Sequence, residues 1–334
     1  MKRKLFNSIL TLPAFIVLGF ATPAVGAHLY VAGFSSDNIQ QYDATTGELL
    51  GTLDSGNELL DEPENLVFGP NGNLYVSSRG IDRVLEYDVN TGTLVGIFAS
   101  GGGLDGADGL TFGPDGNLYV SSQFTDQVLK YDGITGDFLG IFASGGGLDV
   151  TAGLAFGSDN NLYVASNGTN QILRYDGTTG AFLGSFASSN ELLAPTGLVF
   201  GSDGDLYVAS FLNDQVLKYD GETGSSLGIF ASGEELDGFD YFNFGPDGNL
   251  YVGSVNNNQI LVYDGLTGNL LRSFALVGLQ APTGLVFSFK TIPESSSALG
   301  LLGFSVLCAY WLLRKKTLGV QISSAKLYSR QMKA

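Results

Sequence analysis

Histidine and cysteine are almost absent: the 334 residues contain one of each, His28 and Cys308. A single Cys excludes a disulfide framework. One imidazole leaves no HExxH zinc site, no Cys/His zinc cluster and little basis for a Ser-His-Asp triad. Basic residues are scarce too, with 16 Lys and Arg against 33 Asp and Glu and a net charge of −17. That balance excludes nucleic acid as a partner, because holding it means neutralising phosphates with Lys and Arg. Charged residues make up only 15% of the chain, while 23 Phe and 15 Tyr supply the apolar surface of a packed core. Disorder is excluded on that ground.

The two ends are built differently from the middle. Residues 1–27 have the three parts of an export signal. Lys2, Arg3 and Lys4 are followed by a mostly apolar run over 5–20 and by the small residues Ala24, Val25, Gly26 and Ala27. Cleavage after Ala27 is predicted, with an uncleaved anchor as the alternative; either way the export machinery carries the next residues out of the cytoplasm. Near the other end, the mostly apolar run 298–313 is followed at once by Arg314, Lys315 and Lys316. This is a stop-transfer pattern, with the basic cluster kept on the cytoplasmic side. The run has 16 residues, at the short end for a hydrocarbon core of roughly 30 Å, and a membrane helix is predicted there.

The segment Ile292-Pro293-Glu294-Ser295 before that run resembles the PEP-CTERM sorting signal of bacterial exported proteins. The resemblance implies an exosortase as partner and cleavage near the motif. Two departures are visible: Ser295 stands where the motif has a second Pro, and residues 317–334 extend past the basic cluster. The chain is thus partitioned into a signal peptide (1–27), a central domain (28–290), a linker with the PEP-like motif (291–297), a membrane helix (298–313) and a basic cluster with a short tail (314–334). The expected location is outside the cytoplasm, anchored in the membrane or at the cell surface.

The middle is one unit repeated six times. Leu-Tyr-Val begins at residues 29, 74, 118, 162, 206 and 250, and each is followed by a Tyr-Asp pair, from Tyr42-Asp43 to Tyr263-Asp264. A period in the forties with several short strands per unit is the pattern of a β-propeller. In the third unit the runs 109–113, 117–122, 127–132 and 137–144 read as four strands, here A to D from the axis outward. Asp115-Gly116 joins the first two, since Gly accepts the positive φ of a tight hairpin. The first unit lacks a strand A, and the chain has a surplus one at 284–287. The expected fold is therefore all-β: a six-bladed propeller of four-stranded antiparallel blades, closed by the last strand docking on the first blade, with hydrophobic helices at the termini. Phe68, Phe112, Phe156, Phe200, Phe244 and Phe287 recur in strand A, and Tyr30, Tyr75, Tyr119, Tyr163, Tyr207 and Tyr251 in strand B. Fixed places in every blade predict packing between blades.

The unit GLTFGPDGNLYVSSQFTDQVLKYDGITGDFLGIF resembles the NHL repeat, over about residues 28–290. NHL-type propellers include binding modules as well as lyases and hydrolases, so the resemblance implies fold far more than function.

Function is sought where the blades differ. The A–B and C–D turns are nearly constant; the D–A connections and B–C loops vary and share one face. In the B–C loops, Arg79, Phe124, Phe211 and Leu212 break a small-polar trend and are candidates for contact with a partner. The D–A connections bring acids to the same face: Glu64, Asp108 and Asp240 just before strand A, and Asp61, Asp105, Asp149 and Asp237 three residues earlier. With Asn65 and Asn243, they are candidates to hold Ca²⁺ or Mg²⁺ through hard oxygen ligands, the alternative being a solvated acidic rim. Residues 28–292 carry 7 Lys and Arg against 32 Asp and Glu, a net of −25, and such a field attracts cations. Two function classes follow. One is a binding module, not an enzyme, for an extracellular ligand or protein. The other, by resemblance to gluconolactonase and senescence-marker proteins, is a metal-dependent hydrolase of lactones or esters using carboxylates at the channel mouth. Lyase chemistry of the virginiamycin-lyase type implies a catalytic His, and His28 is poorly placed for that. The near-uniform blades favour the binding module.

Overall fold

The structure is a computed structural model whose described residues are 26–54 and 59–289. The expected terminal helices, the PEP-like linker and the basic tail lie outside those residues. No helix among the described residues is long and apolar enough to cross a membrane.

Among the described residues, twenty-four strands form six antiparallel four-stranded sheets. In five blades the strands follow the chain, as in blade three: A Ala107–Phe112, B Leu118–Ser122, C Gln127–Tyr131 and D Phe138–Ser144. Blade one is assembled from both ends. Its strands B, C and D are Ala27–Gly33, Asn38–Asp43 and Leu49–Asp54, and its strand A is Pro282–Phe289. The register sets Leu29 opposite Phe287 and Val31 opposite Leu285, so the closure expected from the surplus strand is present. Innermost strands neighbour one another in chain order all round, and the last touches the first. Closure of this kind leaves no blade interface open at the ring's ends.

Burial falls from the axis outward and explains the residue choice. Every residue of strand B in blades two to six is buried, because both of its faces meet other blades. Strand D alternates exposed with partly buried positions, as an outer strand with one wet face should. Tyr and Phe knit the blades. Tyr119 meets Phe156 of the following blade edge-on at 5.0 Å, and Tyr75–Phe112, Tyr163–Phe200, Tyr207–Phe244, Tyr251–Phe287 and Tyr30–Phe68 repeat the contact. Each such pair contributes about 0.5–1.5 kcal/mol beyond its buried area.

A second contact repeats at every blade boundary. Asp37, Asp82, Asp126, Asn170, Asp214 and Asn258 end the B–C loops. Each accepts, through Oδ1, a backbone N–H from the corner leading into the next strand A, at 2.6–2.9 Å. Both partners have left-handed backbone, including Val150 at φ 53°. A β-branched residue is rarely found there; the clamp from Asp126 holds it.

Many other acids are turn formers. Asp132 Oδ1 accepts the amides of Ile134 and Thr135, and Asp43, Asp88, Asp176, Asp220 and Asp264 do the same in their own C–D turns. In the A–B turn Asp115 accepts the Tyr119 hydroxyl and pairs with Lys130 at 2.7 Å.

Closure through the last strand has a measurable cost when broken. Phe287 is buried, and its ring packs on Tyr251. Phe287→Ala should destabilise the domain by about 3–5 kcal/mol, the usual cost of emptying a buried Phe site. Denaturant unfolding measures it; a loss below about 1 kcal/mol would show that this strand is not what closes the ring.

Candidate functional site

The D–A connections and B–C loops surround a cup on the propeller axis of about 450 Å³, within the range of small-molecule sites. Its wall is made from equivalent positions of successive blades. The first residue after strand B is Phe34, Arg79, Gln123, Asn167, Phe211 and Val255 in blades one to six, and all six line the cup. Below them, at the start of strand A, stand Glu64, Asp108, Thr196, Asp240 and Thr283. No two blades place the same residue at the upper position except one and five, which both have Phe.

Local structure holds these side chains in place. The left-handed corner before strand A is clamped by the preceding blade. The last Ser of strand B also accepts a D–A backbone amide, as Ser122 does from Asp105 at 2.9 Å. One residue deeper along strand A, blades three, four, five and one have Gly109, Gly153, Gly197 and Gly284. These let the innermost strands approach closely: a Cβ on Gly197 would lie 2.6 Å from the carbonyl oxygen of Asp240. Blade six has Tyr241 there instead. Its hydroxyl donates to Oδ1 of Asp108. Blades six and three stand opposite each other in a ring of six, so the Tyr241 side chain crosses the axis.

Three carboxylates and one guanidinium share the cup. Arg79 donates to Oε1 of Glu64 at 3.2 Å, and its guanidinium lies 5.6 Å over the Phe34 ring and 5.4 Å over that of Phe124. Asp108 accepts from Tyr241 and, through Oδ2, from Nε2 of Gln123 at 3.3 Å. Among the described residues, Asp240 has no hydrogen-bond donor on its carboxylate. Burial is the first cause that raises all three acids. The Asp240 carboxyl is pushed up to about 7 by desolvation and then by the Asp108 charge, with Arg79 opposing. Desolvation takes Asp108 to about 6, against the lowering effects of the Tyr241 hydroxyl and Arg79. Glu64 is raised well above the usual range by burial and by the Asp108 and Asp240 charges.

The other sequence candidates stand elsewhere. Asp105, Asp149 and Asp237 are exposed and Asp61 is partly so, and none of the four lines the cup. The Asp237 carboxylate accepts from Asn256 at 2.8 Å, and Asp61 and Asp149 lie against Gly80 and Gly168 of their B–C loops. Oδ1 of Asn65 accepts the Leu66 amide at 2.7 Å, and Asn243 lines a separate hollow beside the A–B turn of blade five. Arg79, Phe211 and Leu212 line the cup, while Phe124 is exposed. Among the described residues, no three His, Cys, Asp or Glu side chains are grouped as metal ligands. Tyr241, Gln123, Asn167 and Phe34 escaped the sequence analysis. Tyr241 had a signal, as the one aromatic in a column that is otherwise Gly or Asn.

No protein-family model matches the chain, and no curated protein matches it in sequence. Solved structures do match. A protein of unknown function from Bacteroides caccae gives a TM-score of 0.61 at 16% identity, over 78% of this chain and 98% of that one. Virginiamycin B lyase from Staphylococcus aureus gives 0.57 at 14% identity, over 79% and 92%. A streptogramin B lyase gives 0.57 at 17% identity, over 81% and 92%. The likeness is one of fold. A histidine-to-alanine form of the Staphylococcus aureus enzyme, solved with quinupristin, is described as catalytically inactive.

The raised acids make stability depend on pH in a definite direction. Between about pH 5 and pH 7 the folded cup keeps protons that the unfolded chain has released, so stability falls as pH rises through that window. Lowered carboxyls such as Asp115, at about 2, are already ionised there and do not offset it. Thermal melts across the window should show a falling Tm, and the double variant Asp108→Asn, Asp240→Asn should flatten the curve. A flat wild-type profile would mean that the acids are not buried as described.

Proposed function

We propose that this chain is an exported ligand-binding propeller, not an enzyme, held at the cell envelope by its C-terminal segment. Its ligand enters the axial cup. The observation that carries this reading is the upper ring of the cup: Phe34, Arg79, Gln123, Asn167, Phe211 and Val255 differ where the turns and strands around them repeat almost unchanged. A rigid scaffold that varies only where its blades converge is organised for recognition.

Enzymes are found among the structural neighbours, so the fold is compatible with catalysis. The support for catalysis in this chain is weaker. Its only His, His28, is the second residue of strand B, opposite Ser288 and Asp43, at the end of the blade remote from the cup, with Gln41 Nε2 at 2.5 Å from its Nδ1. A metal-dependent lactonase needs a carboxylate cluster open to an ion, and Arg79 occupies that place beside Glu64. Export and sorting by an exosortase, or retention through 298–313, accord with the terminal segments. The last described strand ends at Phe289, away from the cup.

A thermal-shift screen of small molecules tests this reading with two variants. Val255→Trp fills the cup; Ile134→Trp alters an exposed C–D turn on the far face. Ligands should raise the Tm of wild type and Ile134→Trp and lose that effect in Val255→Trp. Ligands that stabilise all three proteins equally would place binding elsewhere. A Tm rise with millimolar Ca²⁺, abolished by Glu64→Gln with Asp108→Asn and accompanied by lactone hydrolysis, would establish the hydrolase instead.

A further inference from the structure

We infer that the cup selects a small organic cation, an ammonium group carrying an apolar body; this rests on the reading of the cup as the binding site. The polar half of the cup is short of donors. Arg79 is committed to Glu64 and held against the rings of Phe34 and Phe124, so that pair is close to neutral. Asp108 takes its donors from Tyr241 and Gln123. Asp240 is left without one. An unpartnered carboxylate calls for a donor. A protonated amine brings up to three donors and no acceptor.

The other half of the cup defines the rest of the ligand. Phe211 and Leu212 come from blade five, and Val255 from blade six. They belong to the B–C loops of the two blades whose boundary lies beside Asp240. Leu212 is 68% exposed, an apolar side chain at the cup with no cover of its own. An ammonium near Asp240 therefore has apolar wall within reach of its substituent. An inorganic divalent ion fits less well: among the described residues no three His, Cys, Asp or Glu side chains are grouped as metal ligands, and the apolar wall would add nothing to its binding. An organic anion would meet Asp240 and Asp108 with only Arg79 to receive it, already paired.

Charge also sets the pH response. Asp240 faces Asp108, Glu64, Arg79 and the Tyr241 hydroxyl, and the acids repel one another when ionised. A bound cation relieves that repulsion and lowers their proton affinity, so binding releases protons and tightens as pH rises through about 7.

Calorimetric titration of the intact domain with three matched probes tests the inference: phenethylamine, phenethyl alcohol and 3-phenylpropionate. The amine should bind at least roughly tenfold more tightly than the other two, the effect of one charge-assisted hydrogen bond. Asp240→Asn should remove that preference without lowering the Tm, and Glu222→Gln, an exposed acid on the far face, should leave it unchanged. Amine affinity should rise between about pH 5.5 and about pH 8 in wild type and stay flat in Asp240→Asn. Equal binding of amine and alcohol, stronger binding of the carboxylate, or no amine binding at millimolar concentration would overturn the inference. If the alcohol or carboxylate binds and Val255→Trp abolishes it, the cup reading survives and only the cation is wrong. If Val255→Trp leaves amine binding intact, the cup reading fails with it.

Discussion

A side-chain oxygen at the end of each B–C loop accepts the backbone amide at the corner leading into the next blade's innermost strand. Six of these bonds, from Asp37 to Asn258, run round the ring. They fix both partners in left-handed backbone, a conformation that Asp and Asn tolerate and Val does not readily adopt. The direction in which the chain enters strand A depends on that corner. So does the placing of Glu64, Asp108 and Asp240, each two residues beyond it. The sixth clamp, from Asn258 to Ala281, acts on the strand that closes blade one. The same bond thus serves the ring and the site.

The strong negative charge takes on a different meaning in this light. It reads at first as a field for collecting cations. In the folded protein about half of the described acids are occupied locally: capping C–D turns, tying A–B hairpins to Tyr and Lys, or clamping one blade to the next. Asp and Asn are used because a short side-chain acceptor can reach amides two or three residues away. Repeating three such turns through six blades accumulates charge without any functional demand. Three acids, Glu64, Asp108 and Asp240, are set apart by burial and mutual repulsion.

Six-fold repetition also explains how a site arises with so little departure from the repeat. Equivalent positions converge on the axis, so a change in one blade faces changes in the others. Tyr241 reaches Asp108 from the opposite blade, 133 residues away in the chain. Arg79 sits between two Phe rings contributed by its neighbours. The result has a polar side built from blades two, three and six and an apolar side built largely from blades one, five and six.

The repeat, the four strands of each unit, the closing strand and the Tyr–Phe packing were all legible in the sequence. They depend on periodic local patterns: alternation within strands, turn residues at fixed offsets, and a surplus strand A matched to a missing one. The variable face was legible as well, and with it Glu64, Asp108, Asp240 and Arg79 as residues to examine. Their grouping was decided only in three dimensions. Asp61, Asp105, Asp149 and Asp237 stand three residues before the inner position of their blades and looked equivalent to the inner acids. The left-handed corner between the two positions leaves them outside the cup, and a backbone reversal of that kind does not show in hydrophobic periodicity. Tyr241, Gln123 and the pairing of Arg79 with Glu64 depend on which blades lie opposite or adjacent. That is settled by closing six wedges into a ring, and spacing along the chain does not reveal it.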